Sequence, residues 1–362
     1  MDYSYGRYDW PLALFCPGCG NIIKGIINKD GLQPKSLVCD EVSEAEVYVV
    51  GYSAELPISD SIFYKKMKTK ATIGTLTPFL SLNAFDHNIK RHENNILRLL
   101  DGITPWRQFL KIVLPIYLHG NVSAFVNKMQ SIFEVDLDWI KTIEDCDQLI
   151  SQQMGAIYNA LTSPNYYAKT PIKKLFADMC DYLKNAAADD KCTIRTAVYA
   201  GVDADKWLKK EALEWVADML ENIEKLFPAM FYANNNEFTV PHQQPKYIVT
   251  IDYHEANRLY QTGSETLDHI LPLVAAILNM MNNGNPDTFT NEKMKGQPSI
   301  ASFAQLPMGG KQDKLVDYED MQTFIFGSID HRIRNGIAHP GGVQYDYQTQ
   351  MISYKTKGVL QA

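Results

Sequence analysis

An arginine and a histidine lie close together near the C-terminus and could act on a phosphate group. The segment reads Arg334-Asn335-Gly336-Ile337-Ala338-His339 and ends an apolar-periodic stretch. A guanidinium can neutralise the charge that develops on a phosphate, and an imidazole can transfer protons near neutral pH. Together they are the minimum set of groups for cleaving RNA without a metal ion.

Helical geometry limits how these groups can cooperate. At about 100° per residue, Arg334 and His339 point roughly 140° apart on a regular helix. A shared phosphate then requires a distorted helix end or a second subunit. Arg332, seven residues before His339, would share its face, so both arginines are candidates. The simpler interpretation is that Asp330 and Arg334, four apart, form a surface ion pair and that His339 caps a helix end.

The elements around this motif are predicted to be mainly helical. Apolar residues three and four apart predict helices over 109–117, 125–133, 206–226 and 264–281. Another helix is predicted to begin near Asp317 and to run through Ile329 into the motif, where Pro340-Gly341-Gly342 ends it. Alternating residues over 343–347 and 351–354 predict a short β-hairpin. The Gly, Pro and Lys content of residues 285–313 predicts a mobile loop.

The N-terminal residues differ from the rest and predict a small β-containing module. Val47-Tyr48-Val49-Val50 is rich in strand-forming residues, and Leu37-Val38 is a second short apolar run. Cys16-Pro17-Gly18-Cys19-Gly20 matches one knuckle of a zinc ribbon, with Cys39 as a third ligand. A structural zinc ion would hold this module together. The same residues also suit an ordinary turn with buried thiols.

Composition places the chain among soluble folded proteins. Of its 362 residues, 46% are hydrophobic and 21% charged, and no apolar run approaches the roughly 18 residues of a membrane span. The first residues do not resemble a secretory leader, and six cysteines are too few for a disulfide scaffold. We therefore expect a cytoplasmic protein with no membrane association.

The charge distribution bears on nucleic-acid binding. A net charge of −7 argues against a protein that coats nucleic acid by bulk attraction. The charge is uneven, however: residues 60–130 hold ten Lys or Arg against four acids, and residues 131–230 hold eleven against seventeen. A local basic surface is compatible with this pattern, although such lysines are usually only solvated.

We predict a mostly α fold with three parts. Residues 1–55 form the small zinc-knuckle-like module, residues 56–205 a helical middle region, and residues 206–362 a helical bundle with the β-hairpin. The last boundary falls between residues 200 and 245, where a polar, Pro-bounded connection follows a long helix.

Arg334-Asn335, three further residues and His339 resemble the Arg-Asn-x-x-x-His signature of HEPN-domain ribonucleases. Asp330, four residues before the arginine, and the hairpin residues after the motif are similar to features of bacterial HEPN proteins of phage defence. The resemblance covers about the last forty residues, and the motif is short.

The resemblance implies a homodimer with two facing motifs and a metal-independent endoribonuclease without a catalytic cofactor. His339 would transfer a proton, Arg334 would stabilise the phosphorane, Asn335 would orient the imidazole or the phosphate, and Asp330 would hold Arg334. A toxin or antiviral effector is the implied class, with RNA as substrate and an antitoxin or defence-system protein as partner. The alternative is a non-catalytic helical module that supports dimerisation or binds a nucleotide or partner, which net acidity favours.

Overall fold

A computed structural model of the chain describes a discontinuous set of residues. These are residues 10–15, 22–28, 31–36, 48–49, 58–59, 64–65, 106–107, 109–161, 171–199, 204–226, 247–248, 250–289, 299–315, 329–339, 342–346, 351–356 and 359–361. Most of them are helical, which confirms the predicted mostly α fold with a small antiparallel sheet. In this part of the chain, no helix is long and apolar enough to cross a membrane.

The helices follow in chain order after a π-helical turn over Phe109–Val113. They are α1 (Leu114–Leu118), α2 (Val122–Phe133), α3 (Ile143–Leu161), α4 (Pro171–Asn185), α5 (Ala188–Tyr199), α6 (Ala204–Glu221), α7 (Tyr253–Asn283), α8 (Ile300–Ala304), α9 (Met308–Leu315) and α10 (His331–Ala338). The four segments predicted as helices, 109–117, 125–133, 206–226 and 264–281, are helical. Residues 109–113 form a π-helical turn, however, α6 ends at Glu221, and α7 begins well before residue 264.

Helix α7 is the central element of the C-terminal core. Asp252 starts it by accepting a hydrogen bond from the Glu255 amide, and Gly284, at φ +66°, ends it in the left-handed conformation. Its second half is buried nearly all round, so other helices must surround it. The buried residues of this core are Leu175, Met179, Ile194, Leu271, Val274, Ala275, Ala276, Ile277, Leu278, Met280, Ile300, Phe303, Met308, Leu315 and Ile329.

This core contains residues from both sides of the predicted boundary at residue 206. Leu175 and Met179 of α4 and Ile194 of α5 pack with α7, although sequence reasoning assigned them to the middle region. The three-part division therefore stays a prediction, and residues 171–199 share one hydrophobic core with the C-terminal helices.

The N-terminal strands form small antiparallel sheets. Strands β1 (Trp10–Phe15), β2 (Ile22–Asn28) and β3 (Gly31–Ser36) pair in sequence order. Further along, β4 (Tyr48–Val49) pairs with β6 (Tyr64–Lys65), and β5 (Ile58–Ser59) pairs with β7 (Tyr247–Ile248), just before α7. Lys24 of β2 also contacts Asp252 at 2.8 Å. The predicted strand at 47–50 is thus present in part, while Leu37-Val38 lies outside the described residues.

Two predictions next to the motif are wrong. Residues 285–313 contain α8 and α9 instead of a continuous mobile loop. Asp287 accepts a hydrogen bond from the Ile300 amide at 2.6 Å, and Ile300 and Phe303 are fully buried. Nor does a helix run unbroken through Ile329 into the motif, because Asp330 has an extended backbone and acts as the N-cap of α10. Tertiary burial outweighs local composition in the first case, and a cap interrupts the apolar periodicity in the second.

The predicted hairpin is confirmed. Strands β8 (Val343–Asp346) and β9 (Met351–Thr356) pair antiparallel, with Val343 opposite Tyr354. A third strand, β10 (Val359–Gln361), continues the sheet on the other side of β9. Both hairpin strands contact α10, so the hairpin packs against the motif helix.

A buried lysine supplies a hydrogen-bond donor that α7 lacks at Pro272. Pro272 has no backbone N–H, so the carbonyl of Asp268, four residues earlier, loses its helical donor. The Lys311 ammonium, on α9, donates to that carbonyl at 3.0 Å and lies 2.9 Å from the Asp268 carboxylate. Only 4% of the Lys311 side chain is exposed. Because a buried carbonyl without a donor is costly, this lysine joins α9 to α7.

We expect Lys311→Met to lower the free energy of unfolding by about 3 kcal/mol, since it leaves the Asp268 carboxylate and carbonyl without their partner. Lys184→Met is the matched control, because Lys184 also pairs with an aspartate, Asp181, but both side chains are largely exposed. Its effect should stay within about 0.5 kcal/mol. Urea denaturation measures both, and equal effects would contradict the structural role of Lys311.

Candidate functional site

The motif helix α10 is anchored at its first turn. The Asp330 carboxylate accepts a hydrogen bond from the Arg332 amide at 2.8 Å and so caps the helix. The Tyr260 hydroxyl, from α7, accepts from the Asp330 amide at 2.8 Å and donates to the Asp330 carbonyl at 3.0 Å. Burial raises the pKa of Tyr260, so this hydroxyl keeps its proton. One tyrosine therefore fixes both backbone polar groups of the cap residue.

The Asp330 carboxylate also holds the Arg332 guanidinium in a two-point contact. Arg332 Nε lies 2.8 Å from Oδ1, and Nη2 lies 2.6 Å from Oδ2. Arg332 lowers the pKa of Asp330 below its usual range, mainly through this hydrogen bond. The Tyr354 hydroxyl lies 3.4 Å from Oδ2, and Arg332 Cζ lies 5.8 Å from the Tyr354 ring centroid. Asp330 thus connects α7, α10 and β9.

The predicted pair between Asp330 and Arg334 is wrong. That prediction assumed that both residues lie on one regular helix, where positions four apart are neighbours. Asp330 instead precedes the helix with φ −91° and ψ 106°, which turns its carboxylate towards Arg332.

Arg334 has a different acidic neighbour, which sequence reasoning missed. Its Nη2 lies 3.6 Å from Glu265 Oε1 on α7, and Gln261 donates to the same oxygen at 3.1 Å. Arg334 Nη1 also donates to Asn335 Oδ1 at 3.4 Å. Glu265 lies far from Arg334 in sequence, and no motif or spacing joins the two residues. Only the packing of α10 against α7 brings them together.

His339 ends the helix on an exposed surface. Its amide donates to the Asn335 carbonyl at 3.2 Å, while its own backbone is extended. The chain then folds back, and the Gly342 amide donates to the His339 carbonyl at 2.9 Å. A Cβ at Gly336 would lie 2.6 Å from Val343 Cγ2 and 3.0 Å from the Gly342 carbonyl, so this close return requires glycine at 336.

One face of α10 presents three polar side chains to solvent. Arg332, Asn335 and His339 are exposed at positions i, i+3 and i+7, which align on a helix. The Arg334 side chain leaves the helix in another direction, but its Nη1 donates to Oδ1 of Asn335. His339 itself lies just beyond the last helical residue, where the backbone is extended. This exposed face can accept an anionic ligand and present an imidazole to it.

A second histidine on α10 has a fixed orientation. Gln312 is buried, and its amide nitrogen donates to the Ile329 carbonyl at 3.0 Å. Its amide oxygen must then accept the proton of His331 Nδ1, 2.9 Å away. The His331 ring packs so closely on Gly309 that a Cβ there would lie 3.1 Å from it. His331 therefore anchors α10 to α9 through Gln312 and Gly309.

The proposed zinc ligands Cys16, Cys19 and Cys39 lie outside the described residues, so the zinc site stays a prediction. Among the residues that the structure does describe, no group of three or more His, Cys, Asp or Glu side chains could hold a metal ion. Cys146 is a buried free thiol, and Cys180 and Cys192 are exposed free thiols.

Comparison of the chain with protein-family models, characterised proteins and solved structures finds no significant match. The similarity to HEPN ribonucleases thus rests on the motif residues, and membership of that superfamily stays a prediction.

We expect Asp330→Ala to destabilise the protein at neutral pH by about 1 kcal/mol, the usual contribution of an N-cap. Asp330→Asn should cost less, because asparagine retains the cap but loses the charge. The pKa of Asp330 is lowered in the folded protein, so its charge stabilises the fold above the ordinary carboxyl pKa. That contribution disappears as the pH falls through and below this value.

Urea denaturation of both variants at neutral pH and near pH 3 measures these differences. The gap between wild type and Asp330→Asn should narrow in acid. A gap that is unchanged or wider at low pH would contradict the ionic role of Asp330.

Proposed function

We propose that this protein is a metal-independent endoribonuclease of the HEPN type. In the reaction, a ribose 2′-oxygen attacks the adjacent phosphorus and loses its proton, and the bond from phosphorus to the 5′-oxygen breaks. The leaving 5′-oxygen gains a proton, and the products carry a 2′,3′-cyclic phosphate and a 5′-hydroxyl. The observation that supports the proposal is the exposed polar face of α10, where Asn335 and His339 lie one turn apart and the Arg334 side chain reaches Asn335.

Each motif residue has a distinct role in this proposal. The imidazole of His339 transfers a proton at the 2′-oxygen or the 5′-oxygen. Arg334 stabilises the charge on the phosphorane, and Asn335 orients the Arg334 side chain through the contact at 3.4 Å. Glu265, itself bound by Gln261, limits the positions that Arg334 can adopt. Asp330 positions α10 through its cap and its contact with Tyr260.

On one regular helix Arg334 and His339 point roughly 140° apart, so one copy alone does not direct both groups at one phosphate. We therefore propose a homodimer in which the exposed faces of two α10 helices meet and each phosphate is contacted by both copies. RNA is the substrate class. We further propose that the protein acts in the cytoplasm as a toxin or antiviral effector under the control of an antitoxin or defence-system partner.

Total RNA incubated with purified protein and a chelator tests the reaction. We expect fragments ending in cyclic phosphate from wild type, and a decrease of at least about 100-fold in rate for His339→Ala and for Arg334→Ala. His119→Ala is the matched control, because His119 is also an exposed histidine at the C-cap of a helix, α1. It should cleave as wild type does.

Mixing the two inactive variants tests the dimer in the same assay. If a site takes Arg334 from one copy and His339 from the other, random pairing restores about a quarter of the wild-type activity. No recovery would contradict the shared site. RNA that stays intact with wild type and variants alike would contradict the ribonuclease itself.

The second candidate function is a non-catalytic module that supports dimerisation or binds a nucleotide or protein partner. Two observations favour it: the net charge of −7 and the Glu265 carboxylate beside Arg334, which offsets positive charge where RNA would bind. Binding of RNA or nucleotide without any cleavage product, unchanged in His339→Ala, is the result that this alternative predicts.

A further inference from the structure

We propose that Arg332 binds a second phosphate of the same RNA strand, adjacent to the phosphate that is cleaved. The site would then select strands longer than a dinucleotide. This inference rests on the proposed ribonuclease function and assigns to Arg332 a role in substrate binding that is separate from the role of Arg334.

The orientation of the Arg332 guanidinium supports this role. A guanidinium carries five N–H groups in one plane, and a carboxylate can occupy only one of its edges. Asp330 occupies the edge formed by Nε and Nη2. Within the described part of the chain, the hydrogen bonds of this group all go to Asp330, and 47% of the side chain is exposed. The Nη1 edge is therefore held at the surface in a fixed direction.

The contacts that hold the Arg332 guanidinium in place reduce the side-chain entropy that would be lost when it binds a phosphate. An exposed arginine normally loses rotamer freedom when it binds a ligand. Here the Asp330 carboxylate fixes the guanidinium, the Tyr354 hydroxyl contacts the same carboxylate, and Tyr260 fixes the Asp330 backbone. Because Asp330 neutralises much of the charge, the contact that Arg332 offers is short-range and directional.

The position of Arg332 along α10 matches the path of a single strand. Arg332 and Asn335 are separated by about 4.5 Å along the helix axis, and Arg332 and His339 by about 10.5 Å. Arg334 reaches Asn335, so the cleaved phosphate would lie near Asn335 and His339. A phosphate near Arg332 would then lie towards the helix N-terminus, at a separation comparable with that between neighbouring phosphates of one strand.

A second exposed arginine, Arg258, also pairs with an aspartate but lies away from the motif. Arg258 of α7 makes a similar two-point contact with Asp218, at 2.6 and 3.0 Å, and its side chain is 52% exposed. Its partner is on α6, and it lies two positions before Tyr260, which faces α10. Arg258 therefore matches Arg332 in exposure and pairing but lies away from the motif face, which makes Arg258→Gln the control for Arg332→Gln.

The test uses a 2′-O-methyl RNA strand with one unmodified ribonucleotide at a position that wild type cuts in RNA. The phosphate on either side of the cleavable one is replaced, one at a time, by an uncharged methylphosphonate. For wild type, neutralising one of these neighbours should lower kcat/KM about tenfold, the size of one charge-assisted contact. Arg332→Gln should lower kcat/KM about tenfold on the fully charged strand and show no further loss on the neutralised strand.

Arg258→Gln should respond to neutralisation as wild type does, and thermal unfolding of both variants checks that each is folded. The inference is overturned if wild type is insensitive to both replacements, or if Arg332→Gln loses the same factor as wild type. In either case, continued cleavage by wild type leaves the proposed ribonuclease standing. A wild type that cuts neither this strand nor unmodified RNA overturns both proposals.

Discussion

The contact between Tyr260 and the backbone of Asp330 is the constraint on which the motif depends. It joins the central helix α7 to the residue that starts α10, and both the donor and the acceptor of that residue are satisfied by one hydroxyl. The Asp330 side chain is then free to cap α10 and to hold Arg332. At the other end, Gly336 lets the chain return closely enough for the hairpin to pack on α10. A helix of two turns is thus fixed at both ends, although none of its side chains is fully buried.

Two arginines of α10 each have a carboxylate partner, and one of these contacts is closer than the other. Arg332 and Asp330 are in close two-point contact, whereas Arg334 lies 3.6 Å from Glu265 through a single nitrogen. A ligand anion can displace the looser contact at a smaller cost than the tighter one. In the proposed reaction, Arg334 is therefore the arginine suited to follow a changing charge, and Arg332 is suited to a fixed position.

Sequence reasoning recovered the features that local patterns encode. The apolar stripes of α6 and α7 and the alternation in the hairpin repeat over several residues, so their type follows from periodicity. The seven-residue spacing of Arg332 and His339 is visible in the sequence alone, and both residues are exposed in the structure. The helices in residues 285–313 were missed because glycines and prolines suggest a loop, whereas burial of Ile300 and Phe303 determines the outcome. Glu265 and Tyr260 could not be found, because their roles arise from contacts between distant parts of the chain.

The central claim is that the exposed face of α10 cleaves RNA by attack of the neighbouring 2′-hydroxyl. It is tested most directly with two fluorescent oligonucleotides that differ only in the presence of that hydroxyl at the cleaved nucleotide, each incubated with wild-type protein and a chelator. A 2′-hydroxyl mechanism predicts cleavage of the ribonucleotide strand to a cyclic phosphate end and no cleavage of its 2′-deoxy counterpart. Cleavage of both strands, or of neither, would contradict it.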